Sequence, residues 1–271
     1  MAGRNLYYFV SDIHLGLRFK DYKEREKRFA LFLEQLPCET KALYLLGDIF
    51  DFWYEYKHVI PRGFTRTLGA LAKLADAGVE VRFFNGNHDI WTYNYLQQEI
   101  GIKVEQQPKT EMIEGKSFFM AHGDGISSGD FGYKMLKAIF HCRFLQILFS
   151  SIHPRWAFGL GHSWSKHNRL TRSSDFKPEK HSGETPLSEA PAALLPLINY
   201  AEKVQKEQSE AGKGIDYFIF GHYHFGQDYA LRPTGRMFVM GEWINLFDYL
   251  VFDGNTLERR YFVPGGTPKS E

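Results

Sequence analysis

Apolar side chains in this sequence gather in short, dense runs, each closed by a polar segment. LYYFV (Leu6 to Val10), ALYLL (Ala42 to Leu46), VEVRFFN (Val79 to Asn85), SFFMA (Ser117 to Ala121) and YFIF (Tyr217 to Phe220) are rich in aromatic and branched residues. Runs of this length and composition predict buried strands. Ligands of open α/β sheets bind beyond the carboxyl ends of the strands. The segments that follow these five runs are therefore expected to meet at one edge.

A different pattern fills the stretch from Ile126 to about Gly214. Its first part carries Phe140, Phe144, Leu145, Leu148, Phe149, Ile152, Trp156 and Phe158 among Lys, Arg and His at helix-compatible spacing. That spacing predicts a helical cap, an insertion over about 126–186. The polar stretch TRSSDFKPEKHSGETP, with its Pro and Gly, predicts a loop. From Leu187 to about Lys206 a helix re-forms and returns the chain to the core, and QSEAGKG links it to the last run. The apolar face of the cap has two uses. It packs on the core, as most helical stripes do, or its surplus greasy surface with a basic rim takes an acyl chain or a membrane surface.

Composition narrows the class. The chain has 271 residues and a formal net charge of +1, which gives no general pull toward nucleic acid or membrane. Its two cysteines, Cys38 and Cys142, lack pairing or metal spacing, so a reducing compartment is expected. The first strand begins within a few residues of Met1, leaving no room for a cleaved signal peptide. No apolar stretch is long enough to span a bilayer. The expected location is cytoplasmic, with peripheral contact on the cytoplasmic face of the inner membrane as an extension.

The chemistry lies in what closes the runs: DIH (Asp12 to His14), GDIFD (Gly47 to Asp51), GNHD (Gly86 to Asp89), HGD (His122 to Asp124) and GHYH (Gly221 to His224). A lone DxH or HGD arises by chance in many proteins, and a single buried His is more often a hydrogen-bonded core residue. Acidic, amide and imidazole groups after five successive strands are another matter, because they converge. Carboxylates, imidazoles and one amide, without thiolates, suit Mn²⁺, Fe or Zn²⁺ in an open site. Two such ions need a bridging carboxylate, and Asp48 is the candidate. Glycines at 47, 86 and 221 let the chain turn where a β-carbon would clash. Motifs spread from Asp12 to His224 argue for a single catalytic domain over 1–271. Asp51, Asp89 and Asp124 are expected to orient histidines or to bond their own turns.

In these motifs the chain resembles the calcineurin-like metallophosphoesterase family, whose pattern DxH, GDxxD, GNHD/E, H and GHxH is complete here. The resemblance implies a mixed α/β (α+β) fold, a two-sheet β-sandwich flanked by helices, over about Leu6 to Phe262 apart from the insertion. It implies two divalent metal ions, Mn²⁺ first, with Asp12, His14, Asp48 and His224 on one and Asp48, Asn87, His122 and His222 on the other. His88, beside Asn87, would be the catalytic imidazole.

A narrower resemblance rests on GDIFDFW, AHGD followed by SSGDFGYK, SWSKHNR and the late GEW. These are similar to the bacterial UDP-2,3-diacylglucosamine pyrophosphohydrolases of lipid A synthesis. Those enzymes give UMP and 2,3-diacylglucosamine 1-phosphate. The resemblance implies a lipid-linked nucleotide sugar as substrate, contacted by Asp130, Tyr133, Ser165, Lys166 and Arg169. One departure is plain: that subgroup carries Arg after the metal-binding Asn, and this chain has His88. A departing phosphate needs only a cation, whereas an alkoxide benefits from a proton donor. His88 therefore keeps a phosphodiesterase, or a phosphatase of phospholipids or sugar phosphates, in view. A non-catalytic interaction module on the same fold is the third reading; such modules usually lack site residues, and none is missing here.

Overall fold

Alternate residues of the buried strands feed two different cores, which is why the runs are apolar at nearly every position. In β1 (Leu6–Val10), Tyr8 and Val10 pack under the helices, while Tyr7 and Phe9 face the second sheet. The computed structural model describes residues 3–19, 22–126, 135, 139–140, 142–159 and 183–264.

The other elements are α1 (Tyr22–Glu34), β2 (Thr40–Leu46), α2 (Thr65–Asp76), β3 (Glu80–Phe84), α3 (Tyr95–Gln98), β4 (Lys103–Glu105), β5 (Lys109–Ile113), β6 (Lys116–Ala121), β7 (Tyr217–Phe220), β8 (Gln227–Ala230), β9 (Arg236–Val239), β10 (Asp248–Phe252) and β11 (Leu257–Tyr261). One sheet runs β11-β10-β1-β2-β3-β4 and the other β5-β6-β7-β9-β8. Pairs β1·β2, β2·β3 and β3·β4 are parallel, as are β6·β7 and β7·β9. Antiparallel strands close the ends of the sheets at β10, β11, β5 and β8. Between the sheets lie Phe9, Tyr44, Leu46, Phe84, Phe118 and Met120. Helices α1 and α2 cover the first sheet, and the helix Leu195–Glu210 covers the second through Leu197, Ile198 and Ala201. This is the expected two-sheet sandwich flanked by helices. Because β1, β2, β3, β6 and β7 all precede motif segments within parallel sets, their carboxyl ends deliver those segments to one side.

The returning helix begins later than the sequence pattern suggests. Single 3₁₀ turns occupy Leu187–Glu189 and Ala192–Leu194, and the α-helix runs Leu195–Glu210. Proline explains the delay: Pro191 inside a helix would lack its N–H and clash with the preceding turn, whereas Pro196 sits in the first turn, where the N–H is spare. In the insertion, the helix Arg143–Ser150 and a helical segment over 154–159 agree with the expected helical character.

One buried ionic cluster ties the sandwich together. Arg259 of β11 donates to Asp228 of β8 and Asp248 of β10, and to Val239 O at 3.0 Å. Burial, opposed by Arg259, pushes the Asp248 carboxyl up to about 6. Removing one partner of such a cluster leaves charge uncompensated, so Arg259→Met is expected to cost about 3–5 kcal/mol near pH 7. A carboxyl whose folded pKa is raised binds its proton more tightly in the folded state, and stability falls as pH rises through that pKa. The loss should therefore shrink toward pH 5. Denaturant melts at the two pH values check this; an equal loss at both would contradict it.

Candidate metal centre

The DIH, GDIFD and GHYH segments leave their strands through strained backbone. Asp12, His14, Asp48, His222 and His224 all lie in the left-handed region, with φ of 57°, 50°, 53°, 68° and 61°. For residues with a β-carbon this costs of order 1–3 kcal/mol each and persists only where neighbours over-determine it. Those neighbours are the other motif loops. Asp12 N donates to Gly47 O at 3.1 Å, His14 N to Asp48 O at 2.9 Å, and His222 N to the Asp12 carboxylate at 3.0 Å. Glycine permits the crowding: a β-carbon on Gly86 would stand 2.1 Å from Asp48 Oδ1, and one on Gly221 2.1 Å from Ser11 Oγ.

Among the described residues the side chains converge in three groups, one of which, His14, Asp51 and His88, shares His14 with its neighbour. Asp12, His14 and His224 form that neighbour, and Asp48, His122 and His222 the third, the donor atoms of each lying within 4.8 Å of one another. His224 Nε2 is 3.0 Å from Asp12 Oδ1 and 3.3 Å from His14 Nε2. His122 Nε2 is 3.3 Å from Asn87 Oδ1 and 3.4 Å from Asp48 Oδ2. Ligands about 2.0–2.2 Å from a common ion stand roughly 3–3.5 Å apart at tetrahedral or octahedral angles, so this donor set fits divalent ions. Asp48 lies between the groups, its Oδ2 being also 3.9 Å from His14 Nε2. That is where a bridging carboxylate belongs.

Hydrogen bonds decide which imidazole nitrogen faces inward. His122 Nδ1 lies 2.9 Å from Leu46 O, and His88 Nδ1 lies 2.9 Å from Asp51 O. A carbonyl only accepts, so Nδ1 is the donor in each ring and Nε2 is turned to the site. Electrostatics follow the same lines. Burial alone would raise the Asp48 carboxyl, but His122, His88 and His14 around it hold it well below the usual range. Burial works against a charged His122, and Asp48 overrides it and raises that imidazole. A cation at Nε2 competes for the same lone pair, so acid opposes metal binding.

The supporting acids sort themselves by contact. Asp89, fully buried, accepts from Gly86 N at 2.7 Å, Ile49 N at 2.8 Å, and Asp48 N and Phe50 N, both at 3.2 Å. It thus pins the GDIFD and GNHD loops together. Asp51 Oδ1 stands 3.7 Å from His14 Nδ1 and 4.0 Å from His88 Nδ1. Asp89→Asn would turn one acceptor into a donor facing those N–H groups. Divalent-metal affinity is expected to fall about 10- to 100-fold, the usual scale for an outer-shell residue, and calorimetric titration with Mn²⁺ measures it.

Sequence reasoning missed several supports. Arg25 of α1 donates to His14 O and Phe19 O, each at 2.9 Å. Ser11 Oγ donates to Asp12 at 2.7 Å, and Gln107 accepts from His122 N. The GEW segment, which in sequence carries only a resemblance, also supports the site: Trp243 N donates to Asp12 O at 3.1 Å, and Glu242 caps the turn at Ile244 to Leu246. Neither Arg25 nor Gln107 belongs to a motif, so only the fold could reveal them. Asp130, Tyr133, Ser165, Lys166 and Arg169 lie outside the described residues. Among the described residues no helix is long and apolar enough to cross a membrane.

Comparison with known proteins converges on this geometry. The family model of the calcineurin-like phosphoesterases matches residues 7–226. A UDP-2,3-diacylglucosamine hydrolase of Porphyromonas gingivalis is 40% identical over 94% of this chain and 96% of its own length. Another, from Neisseria gonorrhoeae, is 28% identical over 88% of this chain and 90% of its own length.

Proposed function

The chain belongs to the calcineurin-like phosphoesterase family, and from that premise we propose that it hydrolyses the pyrophosphate of UDP-2,3-diacylglucosamine to UMP and 2,3-diacylglucosamine 1-phosphate. The observation that carries the substrate is the 40% identity, over nearly all of both chains, to a hydrolase named for it. The complete donor set supports the chemistry.

Two divalent ions, Mn²⁺ by preference, would be held by Asp12, His14, Asp48 and His224 and by Asp48, Asn87, His122 and His222. Bound there, they supply a hydroxide at neutral pH and draw charge off the phosphoryl oxygens. The chain's own residues do the rest. His122 and His88 are fixed as tautomers by Leu46 O and Asp51 O. His88, whose Nε2 stands 3.9 Å from Asp48 Oδ2, would protonate or stabilise the leaving oxygen. Asp130, Tyr133, Ser165, Lys166 and Arg169 are the residues assigned to substrate contact.

The cap favours a greasy substrate. On the helix Arg143–Ser150 no side chain is buried, and Phe144 is 66% exposed. Ile147, Leu148 and Trp156 are exposed as well, Trp156 at 70%. A face of this kind beside Arg143 and Arg155 suits peripheral contact with the cytoplasmic surface of the inner membrane, where the lipid-linked nucleotide sugar resides. His88 favours a second reading, a phosphoesterase acting on simpler esters, since it can donate a proton that a pyrophosphate does not need. The Mn²⁺-loaded protein is expected to release UMP from UDP-2,3-diacylglucosamine. No UMP release alongside rapid hydrolysis of bis(p-nitrophenyl) phosphate would overturn the first reading in favour of the second.

A further inference from the structure

The loops that carry Asp48 and Asn87 do not end at the metal centre. They continue side by side as a short ribbon: Trp53 N donates to His88 O and Glu55 N to Trp91 O, each at 3.3 Å, and Tyr54 and Trp91 form a parallel bridge. Glu55 fastens the ribbon from beneath, accepting from Trp53 Nε1 at 3.1 Å and from the backbone N–H groups of Tyr93, Asn94 and Tyr95 at 2.7 to 3.1 Å. The ribbon is therefore rigid, and it moves with the metal ligands or not at all.

Its outer rings receive the cap. Trp91 packs against Phe140 at 5.0 Å and Phe149 at 5.7 Å, Tyr54 against Phe149 at 4.9 Å, and Phe52 against Phe158 at 5.8 Å. Polar bonds fix the register of the contact. Trp91 Nε1 donates to Phe140 O at 3.2 Å, Tyr54 OH to Gln146 O at 3.0 Å, and Tyr56 OH to Ile152 O at 3.2 Å. Backbone carbonyls spread from Phe140 to Ile152 are thus gripped by three side chains from two metal loops. The cap's opposite face, with Phe144 and Trp156, takes no part in this seat and stays exposed.

We infer that Trp91, with Tyr54 as its partner, is a specificity-determining positioning residue: it holds the cap at a fixed height over the metal centre without itself touching the reacting atoms. The inference rests on the reading that the cap receives an acylated substrate. A small diester that reaches the metals without the cap gains nothing from the seat. A long substrate spanning cap and metals requires both at a set separation, because misplacing a binding element by a small distance costs much of its contribution.

Kinetics of Mn²⁺-loaded variants on two substrates, with limited trypsin digestion, test this. Trp91→Ala removes the two ring pairs and the hydrogen bond that reach the cap, besides its pairs with Phe52 and Tyr54, a loss that scales to roughly tenfold in kcat/KM for UDP-2,3-diacylglucosamine, mostly through KM. Hydrolysis of bis(p-nitrophenyl) phosphate should stay within about twofold, and cleavage after Arg143 and Arg155 should accelerate, as expected for a segment with lowered local stability. Trp91→Phe, which keeps the ring contact, should recover most of the loss. Equal losses on both substrates, or unchanged cleavage, overturn the proposal. If Trp91→Ala does not fold, Tyr54→Phe, which keeps the ring and deletes the hydroxyl that bonds Gln146 O, carries the same comparison with an expected loss of about threefold. Should the wild-type protein fail to turn over the acylated substrate, the proposed function falls, and the trypsin arm alone then decides the seat: faster cleavage upholds it and unchanged cleavage sinks it.

Discussion

Asp48→Asn is expected to lower phosphoester hydrolysis by at least about a thousandfold, since a bridging carboxylate serves two Lewis acids that together supply several kcal/mol. The substitution is nearly isosteric, so shape is not the issue. Asp48 Oδ1 accepts from His88 N at 2.9 Å, while Oδ2 stands 3.4 Å from His122 Nε2 and faces the two donor groups. An amide can keep one of these roles. It cannot accept a backbone N–H with one atom and hold two cations with the other, because its nitrogen is a donor only. Metal stoichiometry should fall from two ions toward one per chain, read by elemental analysis after desalting. The fold should survive, since the change removes a buried charge from a strained site, and functional sites commonly gain stability when disarmed. A variant that still binds two ions and keeps a tenth of its activity would sink the bridging role.

How much of this was legible beforehand differs between layers. The five strands were readable because burial on both faces writes a dense apolar run, and Tyr7 to Val10 shows why: neighbours on the strand enter different cores. The donor residues were readable because each lies within a few residues of a strand end. Asp89 could only be half-read. A carboxylate near a metal loop is either a turn residue or an orienting partner, and nothing local distinguishes the two; four backbone N–H groups from two loops settle its contacts here. Arg25 was invisible, since one arginine among several charges on α1 announces nothing until the helix is laid across the His14 loop. The late start of Leu195–Glu210 could have been read from Pro191 and Pro196 had their positions been weighed against the apolar pattern.

The same limit applied to the cap. Its helices were readable from spacing, but the split of its apolar residues into a docked face and an exposed face was not. Phe149 and Phe144 look alike in sequence; one stacks on Trp91 at 5.7 Å and the other is solvent-facing. The distinction depends on where GDIFDFWYEY and GNHDIW project their rings. Those segments are therefore chemically double, with candidate ligands at their beginnings and a platform at their ends.

His88→Asn is the substitution that separates the candidate reactions. The Asn amide can overlay Nδ1 and still donate to Asp51 O, so the loop around Asn87 is preserved while the inward-facing Nε2 is deleted. For an alkyl phosphoester the departing alkoxide is a strong base, and the variant is expected to lose about 10²–10⁴-fold, the range of a positioned general acid. For a pyrophosphate, or for p-nitrophenolate, the departing group is a weak base that leaves without a proton. The loss there should be about tenfold or less, reflecting only the charge that a protonated ring would have stabilised. Plotting log kcat/KM against leaving-group pKa should accordingly give a steeper negative slope for the variant than for the wild type. Parallel slopes would show that His88 acts on the phosphoryl charge alone. His88→Arg completes the argument, because it restores a cation but no transferable proton. Retained pyrophosphate cleavage with lost alkyl-ester cleavage is the expected pattern. It would mean that a pyrophosphohydrolase can carry either residue at this position, and that His88 leaves this chain's ester hydrolysis intact as a second capacity.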